Sequence, residues 1–317
     1  MRALNREDLP TSLWFNENLK FASVLSRVYR GRLRASGLLR DAYSWDGGSL
    51  GSSPIGGEGE TESQQHFAQR FPASAFRAQY VLLDPTRSES RISDVLLAWA
   101  SMKSVVLLDL PCGAGATSLG LISTIHELRM KEIVPKLPVN ICIFGADFSE
   151  VARQHFDYMV QKLAQRVLKS GIRLDWKILD WDATKPELTS QLMDLMLQET
   201  ATDIMVLFSN FSGTIKSSIE PYQRSFQHVA ERLSNRKATI LLVEPDMPGA
   251  ARYVKKLSRI WDSLMFWKSS TYLADRYAYW HPIKGQPIRG SVYFGYYARK
   301  EAVRVTRAGR SVGHESS

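Results

Sequence analysis

Residues 105–120 read VVLLDLPCGAGATSLG, a run of apolar β-formers, an acid, a turn with two glycines one residue apart, and a helix-like segment. A strand, loop and helix of this kind can hold a nucleotide-like ligand against the backbone. Gly113 and Gly115 lack Cβ atoms, so the chain can turn sharply and let a ligand approach the main chain, while the helix that follows offers its unpaired N–H groups. Asp109, at the strand's end, can accept hydrogen bonds.

The spacing Asp109-x-Pro111-x-Gly113-x-Gly115 fits a dinucleotide fingerprint less well, because the third small residue would fall at Ser118, where serine stands in for glycine or alanine. Acids also follow the next two strand-like runs. Val139 to Ala146 ends in Asp147-Phe148-Ser149, and a carboxylate there can bind two vicinal ribose hydroxyls through its two oxygens. Leu174 to Leu179 opens into Asp180-Trp181-Asp182-Ala183-Thr184.

On these residues the chain resembles the class I S-adenosylmethionine (SAM) dependent methyltransferases. Leu110-Pro111-Cys112-Gly113 is similar to a spelling of their motif I in which Pro and Cys replace the commoner first glycine and its neighbour. The resemblance implies that SAM is the cofactor. Its methionine portion would lie against Asp109 and the loop Pro111, Cys112, Gly113, Ala114 and Gly115. Asp147, with Phe148 beside it, matches the ribose-binding acid. Asp182 with Ala183 matches the pair beside the adenine amino group, Asp180 being the alternative, and Ser209 and Asn210 would complete the cofactor site. No catalytic residue stands out.

The remaining elements are those needed to hold such loops. Asp203 to Ser209 and Ala238 to Glu244 are continuous apolar runs, as expected of strands covered on both faces. Helix-like segments at Glu150–Ser170, Thr189–Thr200, Pro221–Leu233 and Gly249–Leu264 separate or follow the strands. The alternation predicts an α/β, doubly wound, Rossmann-like sheet with ligands at the carboxyl ends of the strands. Ser269–Trp280 and Ser291–Ala298 are aromatic-rich and strand-like, joined by a turn-rich loop, so a C-terminal antiparallel hairpin is expected. That hairpin is a feature of the methyltransferase fold.

Before this sheet, residues 1–45 read as a basic helical extension in which Leu25, Val28, Tyr29 and Leu33 form an apolar stripe among arginines. Residues 46–63 read as a Gly/Ser-rich linker. The methyltransferase domain would span 64–300, opening with helices that shape the acceptor pocket, with Arg77 and Tyr80 as lid candidates and Phe76 and Trp99 as core. Residues 301–317 read as a basic flexible tail.

At 317 residues and 44% hydrophobic content the chain can bury a substantial core. No apolar run approaches the roughly 20 residues needed to span a bilayer, and the N-terminus has no signal-like apolar region. Its two cysteines, Cys112 and Cys142, have no metal-ligand spacing. Accordingly no metal site is expected, and the compartment is expected to be reducing and cytoplasmic. His126, His155 and His228 are expected on or near helix surfaces. The net charge of +9 concentrates toward the termini, where phosphates of a nucleic acid could bind, although a solvated basic face is the plainer reading.

The methyl acceptor is least legible. After the fourth strand stands Ser209-Asn210-Phe211-Ser212, without the prolines of the tetrad that amino-directed nucleic-acid methyltransferases carry. Val243 to Gly249, VEPDMPG, is similar to a signature of methyltransferase-like proteins of small ribosomal subunit assembly, which adds to a lean toward RNA. A small-molecule methyltransferase and a non-catalytic docking or assembly factor stay open. A hydrolase order of Ser118, Asp246 and His281 is also present, but Ser118 falls beyond the turn, inside the helix.

Overall fold

The structure is a computed structural model that describes residues 4, 6–44, 59–86, 90–201, 203–212, 219–246, 250–262, 267–269 and 273–299. Five parallel strands form its centre: β3 (Ser104–Leu110), β4 (Val139–Asp147), β5 (Ile172–Asp180), β6 (Asp203–Ser209) and β7 (Lys237–Glu244). Side chains alternate across a strand, and here both alternating sets are apolar. Val105, Leu107, Ile141, Ile143, Met205, Leu207, Leu241 and Val243 belong to one buried cluster, with α1 (Ser23–Ala35), α3 (Glu60–Leu83), α5 (Ala116–Met130) and α6 (Glu150–Val167). Val106, Leu108, Phe144, Ala146, Val206, Phe208, Ile240 and Leu242 belong to the other, with α7 (Pro186–Leu197), α8 (Glu220–Leu233) and α9 (Ala250–Asp262). The sheet is thus the middle of three layers, and each fully buried Leu, Ile or Phe contributes about 1.5–3 kcal/mol of transfer free energy.

The sheet order is β1-β2-β9-β10-β7-β6-β3-β4-β5. β9 (Leu273–Trp280) and β10 (Pro287–Arg299) form the antiparallel hairpin, and β10 lies antiparallel to β7. A short β8 (Trp267–Ser269) pairs with the far end of β10. Register sets Glu244 opposite Tyr293, and Tyr293 opposite Ala274. The hairpin therefore continues about six residues past the end of β7, roughly 20 Å of strand, as a wall beside the strands' carboxyl ends.

The N-terminal region departs from the expectation of a helical extension. β1 (Trp14–Phe15) and β2 (Asn18–Lys20) form a small antiparallel pair, and β2 pairs in parallel with β9, opposite Ala278 to Trp280. Only then do α1 and α2 (Leu39–Ser44) begin. Leu25, Val28, Tyr29 and Leu33 do form α1's buried face, and they enter the same cluster as one face of the sheet. Of the expected linker, residues 46–58 lie outside the described ones, while 60–63 are already the first turn of α3. The 301–317 tail lies outside them altogether. α4 (Ser90–Trp99) completes the helices ahead of β3.

α5 is buried along nearly its whole length, which is what an apolar and small-residue helix achieves between other elements. A Cβ on Gly120 would come within 2.8 Å of the Ala75 carbonyl oxygen, so α3 and α5 approach closely here. His126 and His155 are buried, not on the surface, and His228 is half-buried. His126 Nδ1 meets Ser170 Oγ at 2.8 Å. His155 stacks on Phe67 with ring centroids 4.0 Å apart and accepts a 2.8 Å hydrogen bond from Arg32 Nε. Burial first, then the Arg32 charge, hold its pKa down to about 3.

Candidate functional site

Strand order reverses at β3, with β4 and β5 on one side and β6 and β7 on the other. A crevice at the carboxyl end of such a strand is where open α/β sheets bind ligands, and the loop from Pro111 to Gly115 starts there. The central parallel strands and the antiparallel hairpin together make this a Rossmann-like α/β fold of the kind the sequence resemblance implies.

No family model matches the chain, and no curated protein matches it. Solved structures similar to it include a loganic acid methyltransferase solved with SAH (9% identity, 78% of this chain and 99% of that one, TM-score 0.43). A SAM-dependent methyltransferase from Agrobacterium tumefaciens shares 11% identity over 72% of this chain and 63% of that one, with TM-score 0.39. The rRNA methyltransferase aviRa from Streptomyces viridochromogenes shares 16% over 68% and 84%, with TM-score 0.34.

The loop is tied to the end of β4. Cys112 N donates to Ala146 O at 2.9 Å, and Gly113 N donates to Asp147 Oδ2 at 2.9 Å. Asp147 Oδ1 accepts from Ser149 N at 2.9 Å, so each oxygen of this buried carboxylate already holds one amide. Burial raises the Asp147 pKa, and the two amides and Arg153 oppose the rise. Phe148, the next residue, is half-exposed at 50%. Cys112 is buried, and burial pushes its thiol up, with Asp147 and Asp109 adding to the effect. Such a thiol is no nucleophile at neutral pH.

Gly113 and Gly115 have different reasons to be glycine. Both adopt positive φ, +50° and +75°. A Cβ at Gly113 would meet nothing within 4 Å, so that position is open. At Gly115 it would stand 2.3 Å from the Phe156 ring, and a Cβ on Gly145 would meet the same ring at 2.5 Å. Sequence reasoning assigned both loop glycines to ligand approach; Gly115 is required by the protein's own packing. No local spacing links Phe156 to it.

Asp109 is fully buried, and among the described residues neither carboxylate oxygen has a partner of good hydrogen-bond geometry. Burial raises its pKa to about 7; the nearby Ser118 hydroxyl and amide pull it back, and Asp147 adds to the rise. A buried carboxylate without partners is costly in a native protein and calls for an explanation. Gly115, the N-cap of α5, gives that helix no side-chain cap, and its first turn carries no acid.

On the other side of β3, Ser209 Oγ accepts from Thr117 Oγ1 at 2.8 Å. Asn210 adopts φ +57°, and its Oδ1 accepts a 2.6 Å hydrogen bond from Arg77, which also donates to Ser291 O at 3.2 Å. Arg77 therefore joins α3, β6 and the hairpin. Tyr80 is buried, stacks on Tyr277 at 4.8 Å and donates to Asp275. Phe76 and Trp99 are buried. Glu244, absent from the expected site set, closes β7 as a fully buried carboxylate. It accepts from Phe211 N (2.9 Å), Ser212 N (3.1 Å) and Ser212 Oγ (2.8 Å). Burial raises its pKa to about 7 against those donors and the nearby Arg77. An acid ending the fifth apolar run was its only signal in the sequence.

Asp182 and Ala183 stand one strand further out, past β5. Asp182 Oδ1 accepts from Thr184 N (2.9 Å) and Oγ1 (2.7 Å), and Lys185 pairs with it at 3.3 Å. Burial works against its ionised form, but these partners hold its pKa below the usual value. Ala183 is buried, while Asp180 is largely exposed and pairs with Arg153 at 2.6 Å. Ser118 donates to Gly115 O, and His281 Nδ1 accepts from Ile283 N and Lys284 N, each committed within its own turn. Residues 247–249 lie outside the described ones. Two cavities, of about 460 and 530 Å³, lie elsewhere on the molecule.

Proposed function

We propose that this chain is a SAM-dependent methyltransferase that acts on RNA or another nucleic-acid-associated acceptor. The observation that carries the reading is Asp109, an unpaired buried carboxylate at the switch point, next to the open N-terminus of α5. The carboxylate is satisfied by a cation and the helix N-terminus by an anion, and an amino-acid end such as that of SAM carries both charges. SAM supplies a methyl group already activated on a sulfonium.

In this reading Asp109 and the Pro111–Gly115 loop hold the methionine portion. Asp147 has a remaining lone pair on each oxygen for the ribose hydroxyls. The exposed Phe148 ring and the Asp182–Ala183 turn form the adenine side, and Ser209 and Asn210 close the site along β6. Arg70 and Arg77 follow His66 along α3. Burial and the two arginines bring the His66 pKa down to about 4, and Arg70 is lowered by burial and by Arg77. This crowding of positive charge favours an anionic acceptor.

A methyltransferase-like docking factor is the second reading, favoured by the bond that Arg77 already makes to Asn210. Melting curves separate the two. In the enzyme reading SAM and S-adenosylhomocysteine raise the melting temperature, and Asp147→Ala or Gly113→Val abolishes the rise. A wild-type protein indifferent to both ligands establishes the docking reading instead. Labelled SAM offered with fractions of RNA, DNA, protein and metabolites then identifies the acceptor, and label confined to metabolites removes the nucleic-acid assignment.

A further inference from the structure

The cavity of about 460 Å³ lies between the start of α1 and the far ends of α5 and α6. The candidate cofactor loop precedes the opposite end of α5, a helix about 22 Å long, so this is a separate place. Its lining includes Arg27 of α1, Lys131 after α5, Arg166 of α6 and Lys169 of the turn that follows α6. Glu127 is the only carboxylate among the lining residues, and it accepts from Ser23 Oγ at 3.3 Å.

Some surface cations elsewhere are paired: Arg6 with Glu17, Arg153 with Asp180, Lys177 with Glu199 and Lys237 with Asp203. Among the described residues, none of the four cavity cations forms an ion pair or hydrogen bond within the chain. Lys131, Arg166 and Lys169 stand near helix ends where a cation complements the dipole. Arg27 does not: it lies in the early part of α1, which has no acid in its first turn and no side-chain cap. A cation there adds to the positive end of the helix.

We infer that this cavity binds a phosphate-bearing ligand. Its size lies in the range of small-molecule sites. Its four cations come from three separate stretches of chain and exceed what one carboxylate balances. Two arginines offer paired donors for phosphate oxygens, two lysines add compact charges, and Ser23 and Val24 at the uncapped start of α1 also line the cavity. The phosphates belong either to a small polyphosphorylated compound or to the backbone of a nucleic acid, and the proposal does not depend on cofactor binding at the switch point.

The probes are inorganic tripolyphosphate, followed by titration calorimetry at low ionic strength, and a labelled single-stranded RNA, followed by anisotropy, with the full chain. Tripolyphosphate is expected to bind the wild type, and Arg166→Gln with Lys169→Gln to weaken it by roughly tenfold. Arg27→Gln, an exposed position on another helix, should weaken it independently. Removing two charges from the exposed face of α9, Lys255→Gln with Arg259→Gln, should change it by less than about twofold. Circular dichroism checks that each variant is folded.

RNA binding weakened by the same cavity substitutions and displaced by tripolyphosphate identifies nucleic-acid phosphates as the occupant. Tripolyphosphate binding without that effect on RNA identifies a small polyphosphorylated ligand. Absence of tripolyphosphate binding, or equal weakening by the α9 pair, overturns the inference.

Discussion

Two buried carboxylates stand at the ends of the strands that flank β6, and burial raises both to a pKa of about 7. Glu244, at the end of β7, accepts three hydrogen bonds from the turn after β6. Asp109, at the end of β3, accepts none of good geometry among the described residues. Equal burial with unequal satisfaction separates a group that pins a turn from a group that, in the proposed reading, is left for the cofactor. Glu244 pins Phe211 and Ser212 and so fixes the turn beside Asn210. Asp109 contributes nothing comparable to the fold.

The sharpest way to break this contrast is at Glu244. Glu244→Ala leaves two amides and a hydroxyl unpaired and is expected to cost about 3–5 kcal/mol in denaturant unfolding. Glu244→Gln, which keeps an acceptor, should cost clearly less, and equal losses for the two would show that the hydrogen bonds are not what matters. Gly115→Ala comes next, at about 3 kcal/mol, because it combines positive φ with overlap on Phe156. Shrinking the ring with Phe156→Leu should restore part of that loss. Gly113→Ala, which meets open space, should cost only about 1–2 kcal/mol, the left-handed backbone penalty; parity between the two glycines would refute the packing explanation for Gly115.

Asp109→Asn should have the opposite sign. The folded-state pKa of Asp109 is raised from 3.8 to about 7, so the folded chain holds its proton more tightly than the unfolded one. Its contribution to stability is greatest at acid pH and falls as pH rises from about 4 through 7. The asparagine variant removes that fall and should be more stable than wild type at pH 8, by up to about 4 kcal/mol. It should also lose the melting shift produced by SAM. A destabilised variant at pH 8 would mean that the carboxylate has a structural partner after all. The smallest effect is expected at the exposed Arg153–Asp180 pair, where Asp180→Asn should change stability by less than about 0.5 kcal/mol.

The central strands and most of the helices were legible because their signals are local. Apolar runs of strand length, separated by helical periodicity, give β3 to β7 and α5 to α9. The final hairpin was visible from its aromatic alternation and its turn-rich loop, although β10 begins earlier, at Pro287. What escaped depends on distant partners. β1 and β2 are two and three residues long, and β2 exists by pairing with β9. His155 is buried because Phe67 stacks on it and Arg32 donates to it, and neither is near in sequence. The acids of the candidate site could be read from their positions after strands. Their division into satisfied and unsatisfied groups could not, because it depends on amides brought in by other loops.

The seam between β2 and β9 joins Lys20 to Trp280, residues near opposite ends of the sequence. During synthesis the earlier strand has no neighbour on that flank until the last hairpin has emerged. Completion of the sheet is therefore a late, long-loop event, of the kind that slows folding. Until then β2 presents an unpaired edge on the side that β9 later covers.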